Sequence, residues 1–269
     1  MNESMPWVTG TTKIFGVIAY PTDHVRAPMV FNKLFAERGL DHLMIPISVA
    51  PDNFTAMIGA LQSQANFGGL TATIPHKMAM AELCDTLGPA AQISGAVNAA
   101  RFNQDGTIDG DNFDGEGFVA GMRKYGHEVT GKTVLMVGAG GAARAIATAL
   151  CMHGVDHIKI MNRTLAKAEV LVQDLSEKGG FDQAKAVASD DGSNVDIIIN
   201  ATSMGLHEGY ALPLPLDAVK STTIVAEIIM KPERTAWLAD AEARGLTTHY
   251  GRHMLDCQAE LIGRFIGAL

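Results

Sequence analysis

The stretch TVLMVGAGGAARA, residues 133–145, decides the fold of this chain. A mainly apolar run over 133–137 predicts a β-strand, and an apolar helical pattern over 142–153 follows it. Between them the pattern G-x-G-x-x-G/A is met by Gly138, Ala139, Gly140, Gly141, Ala142 and Ala143. The first glycine allows a tight turn, the second lets the main chain approach a pyrophosphate, and the small third residue lets the helix pack on the strand. The pattern could mark a ligand-free glycine turn, but its place between strand and helix favours a dinucleotide-binding turn.

A second signal follows the next predicted strand, over 158–161. A protein that binds NAD usually ends that strand with Asp or Glu, whose carboxylate binds the ribose 2′-hydroxyl. Here the strand leads into Asn162, Arg163 and Thr164, with Lys167 about one helical turn further on. A guanidinium can hold a 2′-phosphate through two hydrogen bonds, whereas a carboxylate would repel it. An arginine at a strand end is often merely solvated, but beside the glycine pattern it favours NADP over NAD.

Strands and helices alternate along the rest of the chain, which is typical of parallel sheets covered by helices. Strands are predicted over 13–18, 42–49, 69–73, 133–137, 158–161, 196–200 and 223–227, and helices over 29–37, 53–64, 75–87, 117–125, 142–153 and 255–266. The segment 103–117, rich in Gly, Asp and Asn, interrupts this order and predicts a junction. We therefore predict an α/β protein with two α/β domains. A substrate-binding domain with a mainly parallel sheet covers 1–112, joined by a C-terminal helix over 245–269, and a Rossmann-type domain covers 113–244.

Composition excludes several classes of protein. The net charge of −8 argues against a nucleic-acid surface, which needs clustered Lys and Arg. The three cysteines are too widely spaced for a metal cluster and are expected to be buried, inert thiols. No metal site is expected, and His24 and His76 are expected beside the site, His76 on a helix surface or behind the ligand-binding residues. Without a basic-then-apolar leader or an apolar run of about 18 residues, a cytoplasmic, non-membrane protein is expected.

Several further motifs resemble those of one known family, the shikimate/quinate dehydrogenases. The segment GLTATIPHK (69–77) is similar to GxNVTxPxK, GAVN (95–98) to GAVNT, and GDNFDG (110–115) to GxNTDxxG. Also similar to family signatures are GAGGAARA (138–145), NRT (162–164), NATSMG (200–205), and Gln258 with Ala259. These matches occur in the family's order over nearly the whole chain.

The resemblance implies roles that spacing alone cannot supply. Lys77 and Asp114 would be the catalytic pair, one from each domain, since hydride transfer at a carbinol needs a proton moved at its oxygen. Asn98, Thr73 and Gln258 would bind other ring hydroxyls of the substrate. Thr202 and Met204 would join the glycine turn in binding the cofactor. The implied reaction is 3-dehydroshikimate and NADPH to shikimate and NADP, or the same step on a related hydroxylated cyclic acid.

Other positions depart from the family's pattern. Its N-terminal loop carries Ser-x-Ser-Pro, whose two hydroxyls bind the substrate carboxylate, and the aligned residues here are Val25, Arg26, Ala27 and Pro28. Arg26 could bind a carboxylate more strongly than hydroxyls do, or face solvent beside a pocket for another substrate. The family's Asn in GxNVT is Thr71, and its tyrosine before Pro-x-x-Thr is Met230. We interpret the chain as a divergent member rather than the housekeeping enzyme.

Three hypotheses therefore stay open at this point. The chain is an NADP-dependent dehydrogenase of shikimate, quinate or a related acid; or the same fold acts on a different, non-shikimate alcohol or carbonyl; or it is a dinucleotide-binding sensor without catalysis. Retention of both Lys77 and Asp114 argues against the sensor. The family includes monomers and dimers, so a homodimer is one of the two states that the resemblance allows.

Overall fold

The computed structural model describes residues 8–23, 25–206 and 209–269. Its backbone divides into two compact units. The first unit runs to Phe113 and takes in Ala259–Leu269, and the second unit is Asp114–Gln258. The junction predicted over 103–117 therefore contains one of the two points at which the chain passes between units.

The first unit is built on a six-stranded mixed sheet with the order β2-β1-β3-β5-β6-β4. Its strands are β1 (Lys13–Ala19), β2 (His42–Ser48), β3 (Phe67–Ala72), β4 (Thr86–Leu87), β5 (Ala99–Phe102) and β6 (Ile108–Asp111). Its helices are α1 (Ala27–Glu37), α2 (Phe54–Gln62), α3 (Lys77–Leu83) and α4 (Pro89–Ser94). Strands β1, β2 and β3 are parallel, whereas β5 runs antiparallel to both β3 and β6.

Apolar side chains project from both faces of this sheet and are buried against helices on each side. Successive residues of a strand point to opposite faces, so Ala99 and Ala100 serve different cores. One core holds Ala100 with Phe54 and Ile58 of α2, and the other holds Ala99 with Phe31 of α1. Two-sided cover explains why all six residues of β3 are buried.

The second unit is a parallel sheet with the order β12-β11-β10-β7-β8-β9. Its strands are β7 (Thr133–Val137), β8 (His157–Met161), β9 (Ala184–Val187), β10 (Ile197–Asn200), β11 (Ile224–Glu227) and β12 (Thr247–His249). Its helices are α5 (Asp114–Lys124), α6 (Gly141–Met152), α7 (Leu165–Glu177) and α8 (Ala236–Ala243), and the unit boundary falls within α9 (Arg252–Phe265). Strand order reverses between β7 and β10, as in doubly wound dinucleotide-binding sheets.

Two predicted helices are wrong in their extent. The helix predicted over 75–87 is α3, which starts at Lys77, and Thr86 and Leu87 form a strand instead. Pairing with β6 decides this, because Thr86 and Leu87 align with Asp109 and Gly110. The single helix predicted over 245–269 begins with β12, which pairs with β11, and only then continues as α9.

No helix among the described residues is both long enough and apolar enough to cross a lipid bilayer.

Candidate functional site

The glycine-rich turn lies at the carboxyl edge of the second sheet. The main chain of Gly138 has a φ of +120°, which a side chain would strain. A Cβ there would also lie 2.7 Å from the carbonyl oxygen of Ala201, so this turn packs directly on the chain that leaves β10. The N–H of Gly138 donates to Met161 at the end of β8, which ties three strand ends together.

The next two glycines leave open space that fits a cofactor's phosphates. A Cβ added at Gly140 or Gly141 would meet no atom of the described residues within 4 Å. Gly140 caps the N-terminus of α6 in an extended conformation, so the first N–H groups of that helix face the turn. Free N–H groups at a helix N-terminus attract anions. The turn therefore has the shape and the donors that a dinucleotide pyrophosphate requires.

The residues predicted to select the cofactor follow β8 at the same edge. Asn162 donates from Nδ2 to the carbonyl of Thr164 at 2.8 Å, which shapes the chain entering α7. Arg163, Thr164 and Lys167 are exposed. An open pocket of about 260 Å³ lies between α6 and α7, lined by Ala139, Arg144, Ala166, Lys167 and Val170. Lys167 thus shares a pocket with Ala139 of the glycine turn, as a phosphate-binding lysine would.

The turn after β10 is held by one buried amide. Asn200 accepts hydrogen bonds at Oδ1 from the Thr202 N–H at 3.1 Å and the Thr202 hydroxyl at 2.6 Å. Its Nδ2 donates to the carbonyl of Met204 at 3.0 Å and to Glu227 Oε1 at 2.9 Å. Thr202 and Met204, both predicted to bind the cofactor, are therefore fixed in one turn, and Thr202 of that turn lies beside Gly138.

Three predicted substrate or catalytic residues come together in the first unit. Thr73 follows β3, and its N–H donates to Ile18 of β1. The N–H of Ala72 donates to the carbonyl of Asn98, and the carbonyl of Lys77 accepts from the N–H of Val97. Because of these bonds, Thr73, Lys77 and Asn98 lie at one edge of the first sheet.

Arg26 belongs to the same edge. It follows β1, and β1 runs parallel to β3, so the chain leaving each strand emerges on the same side. Arg26 is exposed and precedes the first residue of α1. Its neighbour His24 lies outside the described residues.

Asn98 also orders the segment that leads to Asp114. Its Oδ1 accepts from the N–H of Phe113 at 2.8 Å, which joins the GAVN motif to the GDNFDG motif. Asn112 is buried and donates from Nδ2 to the carbonyl of Ala96 at 3.0 Å. The two motifs, separated in sequence, are thus joined by hydrogen bonds within the first unit.

Asp114 and Gln258 form a buried pair in the second unit. Gln258 donates from Nε2 to Asp114 Oδ1 at 2.6 Å, and both side chains are buried. The close approach of α5 to α9 depends on Gly117, where a Cβ would lie 2.8 Å from the carbonyl of Met254. The pair therefore consists of one residue predicted to be catalytic and one predicted to bind substrate.

Of the two positions expected for His76, the one on a helix surface is wrong. Its ring is buried, stacks on Phe54 with 4.5 Å between centroids, and bonds through Nε2 to the carbonyl of Val49 at 2.8 Å. His76 therefore fixes the start of α3, one residue before Lys77.

The cysteines are half-buried and unbonded to one another. Burial raises the pKa of the Cys84 and Cys151 thiols to about 12 and also raises the pKa of Cys257. All three therefore stay protonated at neutral pH and are poor nucleophiles. Within the part of the chain that the structure describes, no group of three or more His, Cys, Asp or Glu could hold a metal ion.

Sequence reasoning gave no role to Glu227, and none to Asn200 beyond its place in the NATSMG motif, although both residues shape the site. Both stand at the end of an apolar strand, in IIIN and IVAE. A polar residue that closes a buried parallel strand lies at the edge where ligands bind, and this signal could have found them.

The sequence of this chain is similar to known proteins in both of its units. Residues 17–100 match the family model described as the shikimate dehydrogenase substrate binding domain, and residues 121–207 match that described as shikimate / quinate 5-dehydrogenase. A shikimate dehydrogenase (NADP(+)) from Rubrobacter xylanophilus is 35% identical, over 94% of this chain and 89% of its own.

Two solved structures are similar to this chain over nearly its whole length. Shikimate 5-dehydrogenase from Listeria monocytogenes, in complex with shikimate and NAD, has a TM-score of 0.91 at 30% identity, over 100% of this chain and 96% of its own. A ligand-free 5-ketofructose reductase from Gluconobacter has a TM-score of 0.87 at 30% identity, over 96% and 93%.

Proposed function

Because this chain belongs to the shikimate/quinate dehydrogenase family, we propose that it reversibly oxidises a ring hydroxyl of shikimate or a related hydroxylated cyclic acid with NADP. In the reductive direction the reaction is 3-dehydroshikimate and NADPH to shikimate and NADP. The observation that carries the proposal is the meeting of Thr73, Lys77 and Asn98 at one sheet edge, on the motifs that the family uses. We expect the protein to act in the cytoplasm.

NADP is the proposed cofactor, and it would supply the hydride acceptor and donor. The glycine turn and the N-terminus of α6 would hold its pyrophosphate. Arg163, Thr164 and Lys167 would hold the 2′-phosphate, since their cationic and hydroxyl groups are exposed beside the turn. A relative named for NADP(+) supports this choice.

Lys77 is the proposed proton-carrying residue. Its ammonium would donate a hydrogen bond to the reacting oxygen and pass the proton to or from it. By the family resemblance, Asp114 would be the second catalytic residue and would accept a hydrogen bond from the reacting hydroxyl. The bond from Gln258 fixes one oxygen of Asp114, which restricts how its carboxylate can turn. Thr73 and Asn98 would bind the other ring hydroxyls, and a buried partner left unpaired would reject substrates that lack them.

A second candidate is an NADP-dependent oxidoreductase that interconverts a neutral, non-shikimate polyol and its ketone. Two observations favour it: Val25 and Ala27 stand where the family's acid-binding serines do, and a 5-ketofructose reductase has a very similar structure. In that case the methyl-lined loop around Arg26 would accept a substrate without a carboxylate.

A substrate panel separates the two candidates. Initial rates are measured with NADP and NAD on shikimate, quinate, other hydroxylated cyclohexane-carboxylates, and neutral polyols with their ketones. Turnover of a carboxylate with NADP supports the first candidate, and turnover confined to neutral substrates supports the second. Lys77→Ala should lose turnover and keep cofactor affinity. A Lys77→Ala variant as active as the parent would contradict the mechanism.

Arg26→Ala tests how an acid is bound. If the guanidinium holds a carboxylate, the variant raises KM for acids by roughly tenfold or more, the effect of losing a charge-assisted hydrogen bond, and leaves neutral analogues unchanged. Lys33→Ala, which removes an exposed cation of α1, is the matched control. Equal effects of Arg26→Ala on acids and neutral analogues would remove Arg26 from the substrate site.

A further inference from the structure

Glu227, the last residue of β11, is a fully buried carboxylate. Three donors converge on its two oxygens. Asn200 Nδ2 lies 2.9 Å and the Ile229 N–H 3.4 Å from Oε1, and the Thr235 hydroxyl lies 3.2 Å from Oε2. Thr235 Oγ1 already accepts from the Leu238 N–H. A carboxylic acid would need an acceptor for its proton, so this set of donors complements the ionised form.

The contact with Glu227 helps to set the direction in which the side-chain amide of Asn200 points. Both bonds that Asn200 makes from Nδ2, to Glu227 and to the carbonyl of Met204, need the nitrogen on that side. The oxygen is then left facing Thr202, from which it accepts two bonds. If the amide turned over, nitrogen would meet the Thr202 N–H and both sets of bonds would be lost.

The turn held by Asn200 reaches the glycine-rich turn. Thr202 Oγ1 accepts from the Met204 N–H at 3.0 Å, which closes the turn on itself. On its other side, this turn lies so close to Gly138 that a Cβ there would be 2.7 Å from the Ala201 carbonyl and 2.9 Å from Thr202 Cγ2. A displacement of Thr202 therefore changes the surface that the glycine turn packs against.

We propose that Glu227 is a positioning residue for the cofactor: its carboxylate fixes the amide of Asn200, and through it holds the turn 201–205 against the glycine turn. The inference rests on the proposed function, because it takes these two turns to be the NADP site. Glu227 does not touch the cofactor in this account. Its effect passes through Asn200 and Thr202.

The charge of Glu227 changes close to neutral pH. Burial raises its pKa to about 7, although the bonds from Asn200, Ile229 and Thr235 favour the ionised form. The groups that face it from β10 and from the start of α8 are the amide of Asn200 and the hydroxyl of Thr235, and neither titrates in this range. If the ionised form binds cofactor better, then bound cofactor must lower the pKa of Glu227 by the same factor.

The test measures the dissociation constant of NADPH by fluorescence between pH 6 and pH 8.5. It compares wild type, Glu227→Gln, which removes the charge and keeps the shape, and Glu177→Gln, which removes an exposed carboxylate of α7 as a control. At pH 8 Glu227→Gln should bind roughly five- to tenfold more weakly, because a charge-assisted hydrogen bond is about twice as strong as a neutral one. The ratio to wild type should approach one at pH 6. Titration of the 2′-phosphate affects all three proteins alike and cancels in the ratio.

A second measurement needs no cofactor. In nitrogen-15 spectra of the free protein, the amide signals of Thr202 and Met204 should shift with a midpoint near pH 7 in wild type and Glu177→Gln, and should not titrate there in Glu227→Gln. This keeps the inference testable in wild type alone if Glu227→Gln folds poorly.

The possible failures are distinguishable. Parallel pH profiles of NADPH binding in wild type and Glu227→Gln, or amide signals of Thr202 and Met204 that do not titrate in wild type, would overturn the role of Glu227 and leave the proposed function standing. A folded wild-type protein that binds neither NADPH nor NADP at any pH would overturn both.

Discussion

At the scale of single residues, the hydroxyl of Thr71 is buried and has no hydrogen-bond partner among the residues that the structure describes. Thr71 lies in β3, between Val17 of β1 and Ala99 of β5. The strand bonds of its neighbours occupy the nearby main-chain groups, so the hydroxyl loses water on folding and gains nothing in return. Thr71 stands where the family has Asn, and the side chain of Thr is shorter than that of Asn.

We expect Thr71→Val to stabilise the protein. Valine has nearly the same shape, and removing a buried unpaired hydroxyl should raise the free energy of unfolding by about 1 kcal/mol. Urea denaturation measures the change. Thr223→Val is the matched control, because the Thr223 hydroxyl is buried but donates to the carbonyl of Val195 at 2.8 Å. That variant should lose about 1 kcal/mol. A loss of stability in Thr71→Val would show that its hydroxyl has a partner after all.

At the scale of elements, the glycines of the turn between β7 and α6 meet different structural requirements. Gly138 has the positive φ and the close approach to Ala201, so its lack of a side chain serves the fold. Gly140 has an extended conformation and open space where a Cβ would stand, so its lack of a side chain leaves room for a ligand. One motif therefore contains a glycine that the fold requires and a glycine that leaves room for the proposed cofactor.

Alanine at each of these glycines should separate the two requirements. Gly138→Ala should destabilise the protein by about 2 kcal/mol or more, since strained φ and steric overlap both add cost. Gly140→Ala should change stability by less than about 0.5 kcal/mol, as a substitution without strain does, and should weaken NADPH binding. Thermal unfolding and NADPH titration of both variants check this. Equal stability of the two variants would contradict the assignment.

At the scale of the whole molecule, a histidine cluster in the second unit links segments distant in sequence. His249 ends β12 and is fully buried, His253 lies on α9, and His127 follows α5. The His249 and His253 rings meet at 3.3 Å between Nδ1 atoms, and the ring of Tyr125 stacks on His253. Burial, with His253 and His127 nearby, lowers the pKa of His249 to about 3, and burial also lowers the pKa of His127 and His253.

This cluster should make the protein sensitive to acid. Because its pKa is about 3, His249 stays neutral in the folded chain down to about pH 3, but in the unfolded chain it takes up a proton below its ordinary pKa of 6.5. Its contribution is therefore present above pH 6.5 and lost as pH falls, by about 2 kcal/mol between pH 7 and pH 5.

Urea denaturation at pH 7 and pH 5 measures that loss, which His249→Phe should reduce by about 2 kcal/mol. His157→Gln, at an exposed histidine, should behave as wild type. If His249→Phe loses as much stability on acidification as wild type, the buried histidine is not its source.

The amino-acid sequence by itself determined the elements and the chemistry that local patterns carry. Apolar runs located most strands, because strands of a sheet covered by helices are buried on both faces. Helical patterns located most helices, because burial of one face repeats along a helix. The glycine turn after Val137 was predictable because its requirement for small residues is local. The motifs around Lys77, Asn98 and Asp114 are also short stretches of sequence, and the resemblance to the family was therefore visible without the structure.

Only the tertiary structure decided which distant residues meet. Thr86 and Leu87 form a strand because they pair with β6, and residues 247–249 form a strand because they pair with β11. The hydrogen bonds between Asn98 and Phe113, Gln258 and Asp114, and Asn200 and Glu227 join positions 15, 144 and 27 residues apart. Such contacts depend on strand order and helix packing rather than on local pattern, and they also produce the burial that moves the pKa of Glu227 and His249.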